Sequence, residues 1–242
     1  MFDFDGILLP DVSIDDNMLF GLKYVFDDVF IIPISFNNDY SKKNIECVDQ
    51  FTVEGSYGFI GDGVNVSVKN GDIVLDIGAW IGDFSALAAA NGAKVYAFEP
   101  TKVTYEWLCK TVKLGNGEII PICKALGKEN KITDFVVNDD NGGSNTLYVD
   151  NQLNINTIEM TTIDQFVLNN KLEKVDFIKA DIEGYERYML MGATNTLKRF
   201  APKLVICTYH LKDDPIVLEN IIKQANSQYK IVHTRHKLFA SV

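Results

Sequence analysis

The feature that most constrains this chain is an apolar run that ends in a glycine turn, followed by a second apolar run with an acidic end. The first run, Ile73–Ile77, leads into a turn from Gly78 to Gly82. β-Branched runs of this length, bounded by glycine, are typical of strands buried on both faces of a parallel sheet. The second run, Lys94–Phe98, ends at Glu99. The pattern therefore predicts two buried strands whose carboxyl ends carry a tight turn and an acid.

The turn and the acid together predict a nucleoside site. Glycine lets the backbone approach a ligand that a Cβ atom would displace, and an acid after the second strand binds ribose hydroxyls in dinucleotide folds. The spacing is Gly-x-x-x-Gly, so the third glycine of a pyrophosphate loop is missing. An adenosine ligand without a pyrophosphate fits better than NAD, and S-adenosylmethionine is the candidate. The predicted contact residues are Asp76, Gly78, Ala79, Trp80, Gly82, Glu99, Lys124 and Asp181.

Composition narrows the class of protein. The 242 residues suit one α/β domain plus a modest extension. Because 33 acidic residues outnumber 23 basic ones, for a formal net charge of -10, we expect no nucleic-acid partner. The four cysteines are scattered without a close pair, which is typical of a reducing compartment. No apolar run approaches about 18 residues, so we expect no membrane span and a cytoplasmic protein.

The chain divides into two unequal parts. Residues 1–70 lack strand–helix alternation, and we predict an N-terminal cap on the sheet. Within it, 24–36 is rich in aromatic and β-branched residues, and 50–59 and 64–68 resemble short strands. Residues 71–242 alternate regularly and predict a doubly wound α/β sheet, mostly parallel with an antiparallel edge strand. Within this part we expect a hairpin over residues 131–150 that turns at 138–144. We also expect one helix from Gly184 to Phe200, with an apolar stripe of Tyr185, Met189, Ala193 and Leu197.

A second group of polar residues follows the later strands. Asp181 comes after the predicted fourth strand, Val175–Ala180, and His210 comes after the fifth, Leu204–Cys207. Ligands of such sheets bind beyond the carboxyl ends of the strands. The sequence therefore predicts a carboxylate and an imidazole on neighbouring loops, beside the nucleoside site.

These motifs, taken together, resemble the FkbM family of S-adenosylmethionine-dependent methyltransferases over residues 71–236. The resemblance rests on the 74–82 loop, Phe98-Glu99-Pro100, Ala125-Leu126-Gly127, Asp181-Ile182-Glu183-Gly184-x-Glu186, Gly192-Ala193 before Pro202-Lys203-Leu204, and Tyr209-His210. It implies a class I methyltransferase fold. It also implies O-methylation of a hydroxyl on a small molecule such as a sugar, a glycan or a polyketide. The first 70 residues lie outside the resemblance, and acceptor choice usually depends on such variable segments.

We predict that His210 is the general base and that Asp181 orients its ring. An alcohol is a poor nucleophile, and an imidazole with an ordinary pKa of about 6.5 is mostly neutral at pH 7. A metal ion held by Asp181 and carboxylates of the next loop is the alternative. The fifth strand ends in Thr208-Tyr209-His210 rather than in an Asp-Asn pair, so we predict no metal.

Other interpretations remain open. An N-methyltransferase of the same fold is one, although Asp181-Ile182-Glu183-Gly184 stands where base-methylating enzymes carry Pro-Pro-Tyr or Pro-Pro-Phe. A nucleoside-binding module without catalysis is another. An NAD-dependent oxidoreductase is opposed by the glycine spacing. Asp181 can also be a helix cap and His210 a structural loop residue.

Overall fold

The computed structural model describes residues 57–137 and 154–242, together with two short strands near the start of the chain. For the latter two strands and for residues 135–137 and 154–156, only the backbone is described. In chain order the strands are β1 (Phe2–Phe4), β2 (Ile7–Leu9), β3 (Phe59–Gly61), β4 (Val64–Val66), β5 (Ile73–Ile77), β6 (Lys94–Phe98), β7 (Glu118–Ile122), β8 (Ala125–Leu126), β9 (Lys131–Val137), β10 (Asn154–Thr161), β11 (Phe177–Ala180), β12 (Lys203–Cys207), β13 (Lys230–His233) and β14 (Lys237–Ser241).

The helices alternate with these strands as the apolar periodicity predicts. They are α1 (Asp83–Ala90), α2 (Lys102–Leu114), α3 (Ile163–Asn169), α4 (Glu186–Met191), α5 (Thr194–Phe200) and α6 (Asp214–Ala225). Side chains of α1 and α2 pack with the β3–β4 hairpin on one face of the central sheet. Side chains of α3 to α6 pack on the other face. The sheet is therefore covered on both faces, which is why its central strands are almost wholly apolar.

The central sheet has seven strands in the order β13-β14-β12-β11-β5-β6-β7. Strands β12, β11, β5, β6 and β7 are parallel, and β14 is antiparallel to both of its neighbours. The predicted α/β fold class is confirmed. The predicted place of the antiparallel strand is wrong, because β14 lies one position inside the edge that β13 forms. The closing pair 230–241 folds back as a hairpin, and its second strand inserts beside β12.

The order of the sheet brings four polar loops to one edge. β5 and β11 lie side by side at its centre, with β6 next to β5 and β12 next to β11. Because these four strands are parallel, the loops that follow them all leave from the same edge. The turn after β5, Glu99 after β6, Asp181 after β11 and His210 after β12 therefore meet there.

The single helix predicted from Gly184 to Phe200 is two helices, α4 and α5, interrupted at Gly192. A Cβ atom at Gly192 would lie 2.0 Å from the carbonyl oxygen of Gly127, so the backbone packs there directly. The carboxylate of Asp164 then accepts hydrogen bonds from the backbone N–H groups of Asn195 and Thr196 in the first turn of α5. The first helix therefore ends at the close contact of Gly192, and α5 begins where Asp164 binds its first turn. The predicted apolar stripe still faces the core from Met189 onward.

The hairpin predicted within residues 131–150 differs from the one observed. Its first strand is β9, but β9 pairs antiparallel with β10, which begins at residue 154. β10 also pairs in parallel with β8, so these strands form a separate three-stranded sheet, β8-β10-β9. The turn predicted at residues 138–144 lies outside the described residues.

The described part of the N-terminal segment packs against the larger one. β1 and β2 pair antiparallel, as do β3 and β4. Val64 and Val66 are buried, and Phe59 stacks on Phe239 of β14 with ring centroids 5.2 Å apart. Residues 24–36 and most of the strand predicted at 50–59 lie outside the described residues, and the division at residue 70 stays a prediction. Among the described helices, none combines the length and apolarity needed to cross a bilayer.

Candidate active site

The glycine turn after β5 is held against both neighbouring strands. The backbone N–H groups of Gly78 and Ala79 both donate to the carbonyl oxygen of Phe98, at 3.0 and 2.9 Å. Gly78 has a φ of 75°, and a Cβ atom there would lie 1.9 Å from the carbonyl oxygen of Asp181. Glycine is therefore required by conformation and by space. The contact also places the loop after β11 directly on the turn.

The far end of the turn is equally tight. Gly82 has a φ of 88° and begins α1, and a Cβ atom there would lie 2.6 Å from Leu108 of α2. Trp80 also has a positive φ, of 50°, which is uncommon for a residue with a side chain. The chain thus passes from β5 to α1 through three residues in the left-handed region, and this shape turns the backbone N–H of Trp80 toward β6.

Glu99 binds this backbone. Its carboxylate accepts hydrogen bonds from the N–H groups of Thr101 and Trp80, at 2.8 and 3.2 Å. The side chain is buried, and this burial raises the pKa of Glu99 to about 7 even though the two N–H donors favour the charged form. The side chain of Thr101 also bonds to this carboxylate and favours its charged form. A carboxylate has about four acceptor sites, so Glu99 keeps capacity for a further donor.

A buried ion pair lies beneath the turn. Lys179 of β11 stands beside Asp76 of β5 in the parallel pair, and their side chains lie 3.1 Å apart with almost no exposure. Lys179 also donates to the carbonyl oxygen of Gly78, at 2.7 Å, and Asp76 accepts from Ser85 of α1, at 2.6 Å. Burial would lower the pKa of Lys179, but the acids around it hold that pKa above its usual range.

Two predicted contact residues are engaged by other side chains. The carboxylate of Asp76 is fully buried and bound by Lys179 and Ser85, so it supports the turn from below. The ammonium group of Lys124 lies on the surface, 2.6 Å from Glu159 of β10. The contact of both residues with a cofactor stays a prediction. Of the remaining predicted residues, the turn and Glu99 lie together, and Asp181 lies against them.

Asp181 is held by two tyrosines. The hydroxyl of Tyr57 donates to Oδ2 at 2.9 Å, and the hydroxyl of Tyr209 donates to Oδ1 at 3.2 Å. Burial alone would raise the pKa of Asp181, but Lys179, His210 and Lys237, together with Tyr57, hold it below its usual range. Asp181 is therefore a carboxylate at neutral pH, and it is more than a helix cap.

His210 lies among three carboxylates. Its Nε2 is 3.5 Å from Oδ1 of Asp181 and 3.5 Å from Oε2 of Glu183, and its Nδ1 is 3.2 Å from Oε1 of Glu186. Burial would lower the pKa of His210, but Glu186, Asp181 and Glu183 raise it to about 9. A ring that keeps its proton at neutral pH cannot accept another one. The geometry thus brings His210 and Asp181 together as predicted but argues against His210 as a neutral base.

Three residues of this site were missed by sequence reasoning. Lys179 could have been found, because it is a charge inside an apolar strand beside another strand that carries Asp76. Glu186 entered the sequence analysis only as part of the family motif, yet it is fully buried and accepts from the backbone N–H of Ile182 at 2.8 Å. Tyr57 had no signal, because nothing local links it to a residue 124 positions away.

Comparison with known proteins identifies the family. A family model described as the methyltransferase FkbM domain matches residues 76–229, which is more than half of the chain. The chain belongs to the FkbM methyltransferase family. The predicted family is confirmed.

Two known proteins show how far this similarity extends. The hexuronic acid methyltransferase AglP of Haloferax volcanii is 26% identical over 161 residues, covering 66% of this chain and 65% of that protein. A crystal structure of methyltransferase FkbM from Methylobacillus flagellatus KT matches with a TM-score of 0.58 and 22% identity, covering 93% of this chain and 58% of that chain. The chain thus spans less than two thirds of either protein, and the second match shows the shared fold.

Proposed function

We propose that this FkbM-family chain transfers a methyl group from S-adenosylmethionine to an oxygen of a sugar-type acceptor. The observation that carries the proposal is the contact between two loops. The glycine turn that suits a nucleoside lies directly against Asp181, whose side chain stands in the cluster with His210. A methyl donor held by the first loop would therefore lie beside the polar groups of the second. Methyl transfer needs this proximity, because the acceptor oxygen, the methyl carbon and the sulfur must align.

The residues at the turn fit S-adenosylmethionine. The Glu99 carboxylate keeps capacity for further hydrogen bonds, which suits the hydroxyls of a ribose. The backbone from Gly78 to Gly82, including Ala79 and Trp80, is shaped by positive φ angles, and its two glycines let it pack closely on Asp181 and Leu108. When bound, S-adenosylmethionine supplies an electrophilic methyl group on a sulfonium. The chain itself binds the ribose and positions the backbone of the turn.

The proposed acceptor side is the cluster around Asp181 and His210. Tyr57 and Tyr209 bring hydroxyl groups to this place, and Tyr209 is partly exposed. Aromatic rings with polar edges suit the alternating apolar and hydroxyl faces of a sugar. The relative from Haloferax volcanii, whose name states a hexuronic acid, supports an acceptor of this chemical class. A hexuronic acid carries hydroxyl oxygens and a carboxylate oxygen, and we propose a hydroxyl here.

Methyl transfer forms one bond and breaks one bond at the methyl carbon. The acceptor oxygen bonds to that carbon, the bond from the carbon to sulfur breaks, and S-adenosylhomocysteine leaves. The hydroxyl proton passes to a carboxylate of the cluster and from there to solvent water, to which Glu183 is partly exposed. The carboxylates of Asp181, Glu183 and Glu186 surround His210, and His210 orients them.

The test is a transfer assay with the purified chain and methyl-labelled S-adenosylmethionine. The acceptors are hexuronic acid glycosides, neutral hexose glycosides and an unmethylated RNA, and mass spectrometry of the product locates the methyl group. We expect label on a sugar hydroxyl. Label on RNA or on an amine, or binding of S-adenosylhomocysteine without transfer to any acceptor, would overturn the proposal. The first result would favour an N-methyltransferase or an RNA enzyme.

A matched pair of variants ties the activity to the site. Tyr209→Phe removes the hydroxyl that bonds to Asp181, and Glu118→Gln alters a surface acid at the opposite end of β7. We expect Tyr209→Phe to change the rate or the acceptor KM several-fold while S-adenosylhomocysteine affinity stays within about twofold, because the hydroxyl is outside the turn. Glu118→Gln should change none of these values.

A further inference from the structure

We propose that Asp181, Glu183 and His210 form a binding site for a divalent transition-metal cation such as Mn²⁺. The three side chains each present one ligand atom, and these atoms all lie within 4.8 Å of one another. One imidazole nitrogen with two carboxylate oxygens is a donor set that Mn²⁺ and related cations accept, whereas Mg²⁺ prefers oxygen alone. The place of this cation beside the acceptor rests on the proposed function, but the site itself rests on the geometry.

His210 supplies the observation that separates this cluster from an ordinary group of acids. Its side chain is only 8% exposed. Its Nε2 has no hydrogen-bond partner among the described residues, although carboxylate oxygens of Asp181 and Glu183 lie 3.5 Å away. Buried polar atoms are nearly always satisfied, and each exception calls for an explanation such as an ion. The unpartnered Nε2 faces the gap between Asp181 and Glu183.

The distances suit a cation in that gap. Nε2 lies 3.5 Å from the nearest oxygen of Asp181 and 3.5 Å from that of Glu183. A cation about 2.1 Å from each of two ligand atoms spaced in this way would see them at an angle of roughly 110°. That angle is the tetrahedral one, and a small inward shift of the oxygens gives an octahedral shell. The atoms are thus too far apart for good hydrogen bonds but well spaced for shared ligation.

Neighbouring side chains hold two of the three ligands in position. Glu186 is fully buried, and its Oε1 lies 3.2 Å from Nδ1 of His210, on the side of the ring away from Nε2. Metal-bound histidines commonly donate their other nitrogen to a carboxylate in this way. The hydroxyls of Tyr57 and Tyr209 fix the carboxylate of Asp181. Glu183, whose side chain is 28% exposed, leaves the cluster open to solvent.

A cation in this position would act on the acceptor of the proposed reaction. An acceptor hydroxyl bound to it would have a lower pKa, because the cation stabilises the alkoxide. The hydroxyl proton then leaves to solvent water as the oxygen attacks the methyl carbon and the carbon–sulfur bond breaks. The carboxylates would act as ligands in this case, and His210 would bind through a neutral ring.

The experiment measures Mn²⁺ binding directly, by calorimetry and by loss of the free-ion electron paramagnetic resonance signal, on chain first dialysed against a chelator. We expect one site per chain. Glu183→Gln keeps the size of the side chain and should weaken Mn²⁺ binding at least tenfold. Asp181→Asn is the second variant, with the same expectation if it folds by circular dichroism. Glu219→Gln is the control, because Glu219 pairs with His233 on the surface, at 2.7 Å, and it should change the affinity less than twofold.

The outcomes separate this proposal from the proposed function. Absence of a Mn²⁺ site in the wild type, or equal affinity in Glu183→Gln, would overturn the cation site. If the same chelated protein still bound S-adenosylhomocysteine and methylated a sugar, the function would stand without it. Conversely, a Mn²⁺ site that Glu183→Gln weakens, in a chain that methylates no sugar, would leave the cation site standing and overturn the function.

Discussion

Glu99 offers a test of the nucleoside site that needs no knowledge of the acceptor. In the ligand-free chain, burial raises its pKa to about 7. Ribose hydroxyls donate to a carboxylate and gain far less from a protonated carboxyl group. Affinity for S-adenosylhomocysteine should therefore rise with pH as Glu99 loses its proton. Because the expected affinity depends on the protonation of Glu99 alone, the pH dependence is specific to this residue.

The size of the effect follows from that pKa. With a pKa of about 7, roughly one tenth of Glu99 is ionised at pH 6 and roughly nine tenths at pH 8. The apparent Kd should thus be about tenfold weaker at pH 6, which is about 1.4 kcal/mol. Stability of the free chain should move the other way. Because the folded pKa exceeds the unfolded one, this group lowers the free energy of unfolding as pH rises from about 4.5 to 7.

The assay is calorimetric titration with S-adenosylhomocysteine at several pH values between 6 and 8. Glu99→Gln cannot ionise. Its affinity for S-adenosylhomocysteine should be weaker than that of the wild type, and it should lack the tenfold change in apparent Kd between pH 6 and pH 8. Glu118→Gln, a surface acid paired with Lys94 at the far end of the sheet, should follow the wild type. Equal slopes in the wild type and Glu99→Gln would refute the reasoning, because any titration of the ligand itself is common to both.

Three substitutions and one glycine control test the framework of the site by chemical denaturation. Gly78→Ala should lower the free energy of unfolding by roughly 2–5 kcal/mol, because Gly78 has a positive φ and a Cβ atom there would clash with Asp181. Gly71→Ala is the control: Gly71 has a φ of 81° but no atom within 4 Å of the added Cβ. It should lower the free energy of unfolding by about 1–2 kcal/mol, the cost of the backbone conformation alone. Lys179→Met should cost about 3–5 kcal/mol, because it leaves a buried carboxylate uncompensated, and a loss under 1 kcal/mol would contradict this. Tyr57→Phe should cost about 1.5–3 kcal/mol by removing a donor to a buried carboxylate, and an unchanged midpoint would show that solvent replaces the hydroxyl.

The positions of these strands along the chain were predictable because the sequence patterns that indicate them are local. The run Ile73–Ile77 and the run Lys94–Phe98 are strands with the predicted bounds. An apolar run bounded by glycine can satisfy burial on both faces only inside a covered sheet. Once these strands are parallel, the turn after Gly78 and the acid at Glu99 must leave from one edge. The family resemblance rested on the same motifs, and the family is the one found.

What the sequence could not predict depends on distant partners. The break at Gly192 arises because its backbone packs on Gly127, which follows β8 and is 65 positions away in the chain. The place of β14 inside the edge depends on which strand pairs with β12, and no local sequence pattern indicates this pairing. Lys124 could bind a nucleotide at its position in the chain, but a strand some 35 residues later supplies Glu159 and holds it on the surface. In each case tertiary contact overrides a correct local pattern.

His210 shows how the same limit affects chemistry. From the sequence, a histidine after a strand has an ordinary pKa and one acidic neighbour, and a general base is the natural hypothesis. The motif around Asp181 in fact delivers three acids to the ring, because the tight turn at Glu183, with a φ of 55°, and the first turn of α4 at Glu186 fold back over it. One acid would orient a neutral imidazole. Three acids instead favour a positive charge among them, and a proton on the ring or a bound cation adds to the charges of Lys179 and Lys237 beside Asp181. The number of carboxylates around His210, rather than its place after the strand, therefore decides what this residue can do.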